Sequence, residues 1–311
     1  MDHVNFTEHP ELRGPIMLLA FTGWGDASEV ATWSARYMVK EWSATKFAEI
    51  DPEEFFVFKE TRPQSKWVND QRVITWPATE FFYHRSPTHD ADFILGIGSE
   101  PNLRWKTFLQ AMMGIIKETR TSAVITLGGL LAAVPHTHPT RLTGTATEPE
   151  LLEKLHQLAP RQGRYEGPTG IVGVLNTVLQ ADNVPFASLW GNVPHYLAAS
   201  PNIKVALGML RQLDKGLQLG ISLSRVERQA VRFETQVNQA VSENSEITSY
   251  VRKLEQEHGL PGPEEPASSE PHEELPPSAA LLADLEEYLR RQRGDQPDDG
   301  GPAGPPTPES H

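Results

Sequence analysis

Short unbroken apolar runs alternate along this chain with longer stretches in which apolar positions recur every three or four residues. Ile16-Met17-Leu18-Leu19-Ala20-Phe21 reads as a buried strand, and Thr22-Gly23-Trp24-Gly25 turns it into a helix. Asp26 and Glu29 have the spacing of a capping box, after which Val30, Trp33, Tyr37 and Val39 fall on helical spacing through Trp42. Further strands are expected at Phe55–Phe58, Phe93–Ile97, Val124–Leu127 and Phe186–Trp190. Between them the pattern predicts helices at Leu103–Thr119, Pro149–Leu158, Ile171–Gln180 and Ile203–Leu217. Strands and helices of these lengths in alternation imply an α/β fold, a layered and mostly parallel sheet flanked by helices.

In such folds ligands and partners meet the loops at the carboxyl ends of the strands. Here those loops are Gly23-Trp24-Gly25-Asp26, Gly98-Ser99-Glu100-Pro101-Asn102 and Gly128-Gly129, with Asp26 or Asn102 placed as helix caps. Beyond them the pattern changes. Leu223, Val226, Ala230, Phe233, Val237, Ala240, Asn244, Ile247, Val251 and Leu254 form a heptad seam crossing the polar patch Ser242-Glu243-Asn244-Ser245-Glu246. Either one long helix buries Asn244 or two helices fold back there. A helical hairpin is favoured, because Ser and Asn compete with helix.

Charge divides the chain. Residues 259–311 hold twelve acidic and three basic residues and 11 of the 26 prolines, so nine of the thirteen net negative charges lie there. Such a segment cannot offset a backbone ordering cost of about 1–2 kcal/mol per residue. The expected organisation is a flexible N-terminus over 1–11, an α/β core over 12–221, a helical hairpin over 222–258 packed on or beside the core, and a disordered acidic tail. Within the tail, Leu281, Leu285, Tyr288 and Leu289 make one apolar stripe of a short amphipathic helix near 279–293. A helix this short is marginal alone and suits a groove on a partner or on its own domain.

An acidic chain makes nucleic acid and anionic membrane poor partners, since phosphates need clustered Lys and Arg. No signal-like N-terminus and no uninterrupted apolar span is present, which points to a cytoplasmic protein. The absence of cysteine excludes disulfides, thiolate metal sites and a cysteine nucleophile. Known catalytic motifs fail: Gly96-Ile97-Gly98 begins like a dinucleotide fingerprint, but Pro101 stands where its third glycine belongs. His136-Thr137-His138 has no third ligand at helical spacing and reads as a rigid loop between Pro135 and Pro139, so no metal and no cofactor is expected. Asp26, Glu100 and Glu166 could gather at one sheet edge as acid–base carboxylates, although Glu100 suits a turn cap or a pair with Arg104. Gly167–Gly170 before a helix would allow a phosphate cradle. His195 could act as a base, with a hydrogen-bonded structural role the simpler reading. No nucleophile, base and orienting group fall together.

Taken in order, Gly23-Trp24-Gly25-Asp26-Ala27, Gly98-Ser99-Glu100-Pro101 with Arg104-Trp105, Leu127-Gly128-Gly129, Gly144-Thr145-Ala146, Glu166-Gly167-Pro168-Thr169-Gly170 and Trp190 to Tyr196 resemble the proteasome assembly chaperone family in its longer, actinobacterial-type bacterial branch. The resemblance covers about residues 12–258. It implies a nucleoside-phosphorylase-like α/β domain without the established active site, self-association as a homo-oligomer with a trimer as one arrangement, and proteasome subunits or another protein as client. Its candidate partner surface is Gly23, Trp24, Asp26, Glu100, Arg104, Trp105, Gly128, Gly129, Thr145, Glu166, Gly167, Thr169, His195 and Tyr196. The C-terminal hydrophobic–Tyr–any residue motif of eukaryotic and archaeal relatives is not matched by Pro308-Glu309-Ser310-His311, and Tyr288 follows Glu287. The alternative is an enzyme or small-ligand binder at the strand-end loops, similar to nucleoside phosphorylases or carboxylate–amine ligases.

Overall fold

The computed structural model describes residues 2–155, 159–160, 166–198 and 201–258. In chain order the first elements are β1 (Val4–Phe6), β2 (Ile16–Thr22), α1 (Val30–Glu41), β3 (Thr45–Ile50), β4 (Gln64–Val68), β5 (Gln71–Thr75) and β6 (Thr79–His84). There follow β7 (Phe93–Ser99), α2 (Trp105–Glu118), β8 (Ala123–Ala132), β9 (Leu142–Ala146), α3 (Pro149–Lys154) and β10 (Ala159–Pro160). The chain continues through α4 (Ile171–Ala181), β11 (Phe186–Pro194), α5 (Ile203–Leu217), α6 (Ser224–Ser242) and α7 (Ser245–His258).

Among the described residues one sheet runs in the order β1-β3-β6-β7-β2-β8-β11-β9-β10. Its centre, β7-β2-β8-β11, is parallel throughout, with Leu18 of β2 opposite Leu95 of β7 and Ile125 of β8. The flanks reverse: β6 on β7, β3 on β6, β1 on β3 and β9 on β11 are antiparallel, so the sheet as a whole is mixed. The apolar runs seen in the sequence are the central strands, which are covered on both faces and need no polar alternation. In β2, Leu18 and Ala20 join a core with α1 and α5, whereas Met17, Leu19 and Phe21 join the core formed with α2 and α4. A third cluster lies beneath α6 and α7, around Tyr196, Phe233, Val237 and Ile247.

The strand expected at Phe55–Phe58 is not one. Phe55 and Phe56 donate their amides back to the Pro52 carbonyl, and the turn drives both rings into the second core, Phe55 lying 5.4 Å from Phe108. Burial, rather than strand pairing, accounts for that apolar run. The N-terminal stretch expected to be flexible contributes β1, held by β3 and by Phe6, which packs on the same core. The helix expected over Pro149–Leu158 runs to Lys154, and Leu158 lies outside the described residues. The heptad seam divides as a hairpin. Asn244 is not buried in a coiled coil but accepts the amides of Glu246 and Ile247 at 3.0 and 3.2 Å, starting α7. The acidic tail and its stripe at Leu281, Leu285, Tyr288 and Leu289 lie outside the described residues.

A two-stranded arm, β4–β5, was not anticipated. It pairs only with itself through a two-residue turn, Asn69-Asp70, both in the left-handed conformation of a type I′ hairpin. It leaves the body between β3 and β6, with Trp67 three-quarters exposed and Val73 and Ile74 bare as well. At its root Trp76 packs on Phe58, ring centroids 4.9 Å apart.

Strand β7 approaches its neighbours so closely that a Cβ at Gly98 would fall 2.9 Å from the Thr79 Cα and 2.3 Å from its hydroxyl. Gly98→Ala is therefore expected to destabilise the fold by about 1–3 kcal/mol, read as a lower urea midpoint at unchanged slope.

Candidate functional site

The parallel strands end on one rim, and the sequence there is short of slack. Gly23 leaves β2 at φ +134°, and the chain turns at once so that Asp26 bridges to Gly129 on β8, with the Gly129 amide donating to Gly25 at 2.8 Å. A side chain at Gly129 would meet the Ala27 backbone at 2.7 Å, and one at Gly128 would strike the Trp190 ring at 2.3 Å. These glycines fit the segment against β8. Ser28 and Glu29 then take left-handed conformations before α1 begins, a strain of about 1–2 kcal/mol per residue. Ser28 is held by donating its hydroxyl to the Leu197 carbonyl at 2.8 Å.

Asp26 does not form a capping box with Glu29. Because the helix starts at Val30, its buried carboxylate instead accepts the Ala31 amide at 2.7 Å and the Thr32 hydroxyl at 2.5 Å. Burial pushes its pKa up to about 6, with the nearby Glu29 charge adding to the shift and the two hydrogen bonds opposing it.

Glu100 caps, but not its own turn. Its carboxylate accepts the Ile171 amide at the start of α4 at 2.6 Å and, more weakly, the Trp24 amide at 3.4 Å. The amide that a phosphate would use at Gly167–Gly170 is thereby taken. Arg104 pairs with Glu54, not with Glu100, because its left-handed backbone at the start of α2 turns it toward the preceding loop. Asn102 likewise caps no helix: its side chain accepts the Val57 amide at 2.9 Å and donates to Glu60, pinning the loop that carries Phe55. Trp105 donates its indole to the Pro101 carbonyl at 2.5 Å.

Between the ends of β2 and β7 lies a cleft of about 420 Å³, lined by Thr22, Gly23, Thr61, Ser99, Glu100 and Asn102 with Pro101 and Trp105. Two pairs of its polar side chains bond each other: Thr22 donates to Ser99 at 2.9 Å and Thr61 donates to Asn102 at 3.3 Å. The structure thus gathers Gly23, Trp24, Asp26, Glu100, Trp105, Gly128 and Gly129 on one rim, and Gly170 brings the exposed loop of Glu166, Gly167 and Thr169 beside Trp24 and Glu100.

Three expected members do not line this cleft. Thr145 sits in β9 opposite Ser188, partway along the sheet, because β9 runs antiparallel to β11 and does not end at this rim. Tyr196 is fully buried beneath the helical hairpin, where its hydroxyl contacts His136 Nδ1 at 2.8 Å and burial raises its pKa. His195 shares an Nδ1 contact with the Ala132 carbonyl at 3.2 Å, and burial lowers its pKa despite that bond. Its ring stands edge-on to Tyr196 and Tyr250 and is not part of the cleft lining. His136 is buried and bonded to Asn238, and among the described residues no group of three or more His, Asp or Glu could hold a metal.

Of the apolar content of the rim, the sequence reading names Trp24 and Trp105 but neither Leu103, Leu131 nor the arm. Trp24 is 66% exposed, Leu103 and Leu131 are about half exposed, and the arm adds Trp67 and Trp76. The β-branched and aromatic residues around Asn69-Asp70 are the signal that would have revealed the arm.

The PAC2 family profile matches residues 20–241. A PAC2 family protein from Streptomyces avermitilis is 33% identical, over 76% of this chain and 99% of its own, at a TM-score of 0.68. A Mycobacterium tuberculosis proteasome-assembly chaperone homologue is 32% identical over the same shares, also at 0.68. The Pyrococcus furiosus archaeal proteasome activator PbaB, 22% identical over 76% of this chain and 97% of its own, shares the fold at 0.62. No curated protein matches the chain significantly.

Because Asp26 is more easily charged in the unfolded chain than in the fold, its contribution is most favourable at low pH and is lost as pH rises through about 6. Relative to Asp26→Asn, the wild-type protein is expected to gain up to about 2–3 kcal/mol on acidification from pH 7 to 4, followed by urea unfolding at each pH. Glu100→Ala is expected to destabilise by about 0.5–2 kcal/mol with increased amide exchange at Ile171, whereas Glu100→Gln, which keeps an acceptor, loses less.

Proposed function

Since the chain belongs to the PAC2 family, we propose that it acts as an assembly-chaperone-like or scaffold protein, working by self-association and protein–protein contact without catalysis. The observation that carries this reading is the rim itself. The Asp26 and Glu100 carboxylates accept backbone amides and the Thr22 and Ser99 hydroxyls bond each other, while large apolar side chains such as Trp24 are exposed. Exposed aromatic side chains of this size act as anchors in protein interfaces. The M. tuberculosis relative is described as a proteasome-assembly chaperone homologue, which makes proteasome subunits the first client to test. The partner surface comprises Gly23, Trp24, Glu100, Trp105, the Glu166–Thr169 loop and the β4–β5 arm, and the setting is the cytoplasm. Among the described residues no helix is long and apolar enough to cross a membrane.

A second reading is favoured by the 420 Å³ cleft, whose size suits a small ligand. Thermal-shift measurements with phosphate, nucleosides and nucleotides separate the two: a ligand at 100 times its Kd adds about 2.7 kcal/mol of stability, and a flat response removes these ligands.

For the first reading, the chain and separately purified actinobacterial proteasome α-subunits are expected to co-sediment, and Trp67→Ser with Trp24→Ser to weaken that association at least tenfold without lowering the melting temperature. Independent sedimentation of chain and subunits would overturn the proteasomal assignment.

A further inference from the structure

Among the described residues, every large exposed apolar side chain except Val231 lies on this rim or on the arm beside it. The chain leaves its described body at the same place. The last residue of α7, His258, lies with Nε2 2.5 Å from the Ala133 carbonyl oxygen, just past the end of β8 and two residues from Leu131. Beside this exit is a shallow dimple of about 20 Å³ whose titratable lining residues are Arg141, Lys204, His136, His138 and His258, with no carboxylate among them. Lys204 is paired from below by Glu234 at 2.7 Å, whereas Arg141 is exposed. The stretch that follows His258 carries Glu264, Glu265, Glu270, Glu273 and Glu274 and no Lys or Arg. Beyond it comes the apolar stripe of Leu281, Leu285, Tyr288 and Leu289.

Reach is not limiting. The 23 residues from His258 to Leu281 span roughly 25 Å as a coil, whereas the strands from β8 to β7 cover only about 10 Å at their usual spacing. A tethered segment also meets the rim at an effective concentration of about a millimolar, well above that of a free second copy.

We propose that residues 264–289 of this same chain lie across the rim, the glutamates along the Arg141–His258 dimple and the apolar stripe over Trp24, Leu103 and Leu131, masking the surface until a partner displaces them. The inference rests on the rim being the partner surface, and adds how that surface is kept covered in the free protein.

The test uses the full-length chain and acrylamide quenching of its tryptophans, which include the exposed Trp24, Trp67 and Trp76. In Leu285→Asp/Leu289→Asp the quenching constant is expected to rise and the emission maximum to shift to the red, equally at all protein concentrations, with the melting transition of the body retained. Arg141→Glu is expected to move both readouts in the same direction. Identical quenching in wild type and variants would overturn the proposal. So would protection that survives the substitutions and grows with concentration alongside a larger sedimentation coefficient, since a second copy would then be the cover. The readout needs no client: masking intact in a chain that binds no proteasome subunit would overturn the functional reading and leave this contact standing.

Discussion

The bridge between Asp26 and Gly129 is the constraint from which the rim follows. It forces the chain leaving β2 sideways onto β8 within four residues, which leaves no room for a side chain at Gly129, while the Trp190 ring excludes one at Gly128. The cost is two left-handed non-glycine residues and a buried carboxylate. What this secures is position: α1 starts on a fixed line, the Trp24 side chain is thrown outward, and Trp190 closes the floor beneath Gly25 and Gly128. Loosening any one of these would blur the others, because they share the same few ångströms of backbone.

Legibility in the sequence followed the strength of the physical signal. The central strands stand out because burial on both faces demands unbroken apolar runs, and Ile16–Phe21 and Phe93–Ile97 supply them. The same rule misled at Phe55–Phe58, where a turn buries the aromatic rings without pairing the backbone. The strands β3, β6 and β9 at the antiparallel flanks carry mixed patterns such as Thr-Lys-Phe-Ala-Glu-Ile and were passed over. At the rim, the glycines and Glu100 could be picked out by residue type, but their partners could not. That Glu100 reaches Ile171, 71 positions away, and that Arg104 turns to Glu54, depends on the order in which strands were laid side by side. Thr145 and Tyr196 stand apart from the cleft for the same reason, one by strand direction and the other by a helical hairpin closing over it.

Relationship to known proteins and local chemistry support each other at different levels. Membership of the PAC2 family rests on the match over residues 20–241 and on relatives of about one-third identity. The side chains add the local detail of the strand-end rim. His136 and His195 are partly or fully buried and lie outside the lining of the cleft, where Thr22 and Ser99 bond each other.

Glu100 has one more implication. Its carboxylate stands at the amino end of α4, where free backbone amides and the helix dipole favour negative charge. The protein therefore carries its own anion there, tethered by covalent bonds and unable to diffuse away. Any soluble competitor would have to evict a resident that never leaves the neighbourhood. At this corner the Ile171 amide is thus furnished with an acceptor from within the chain itself.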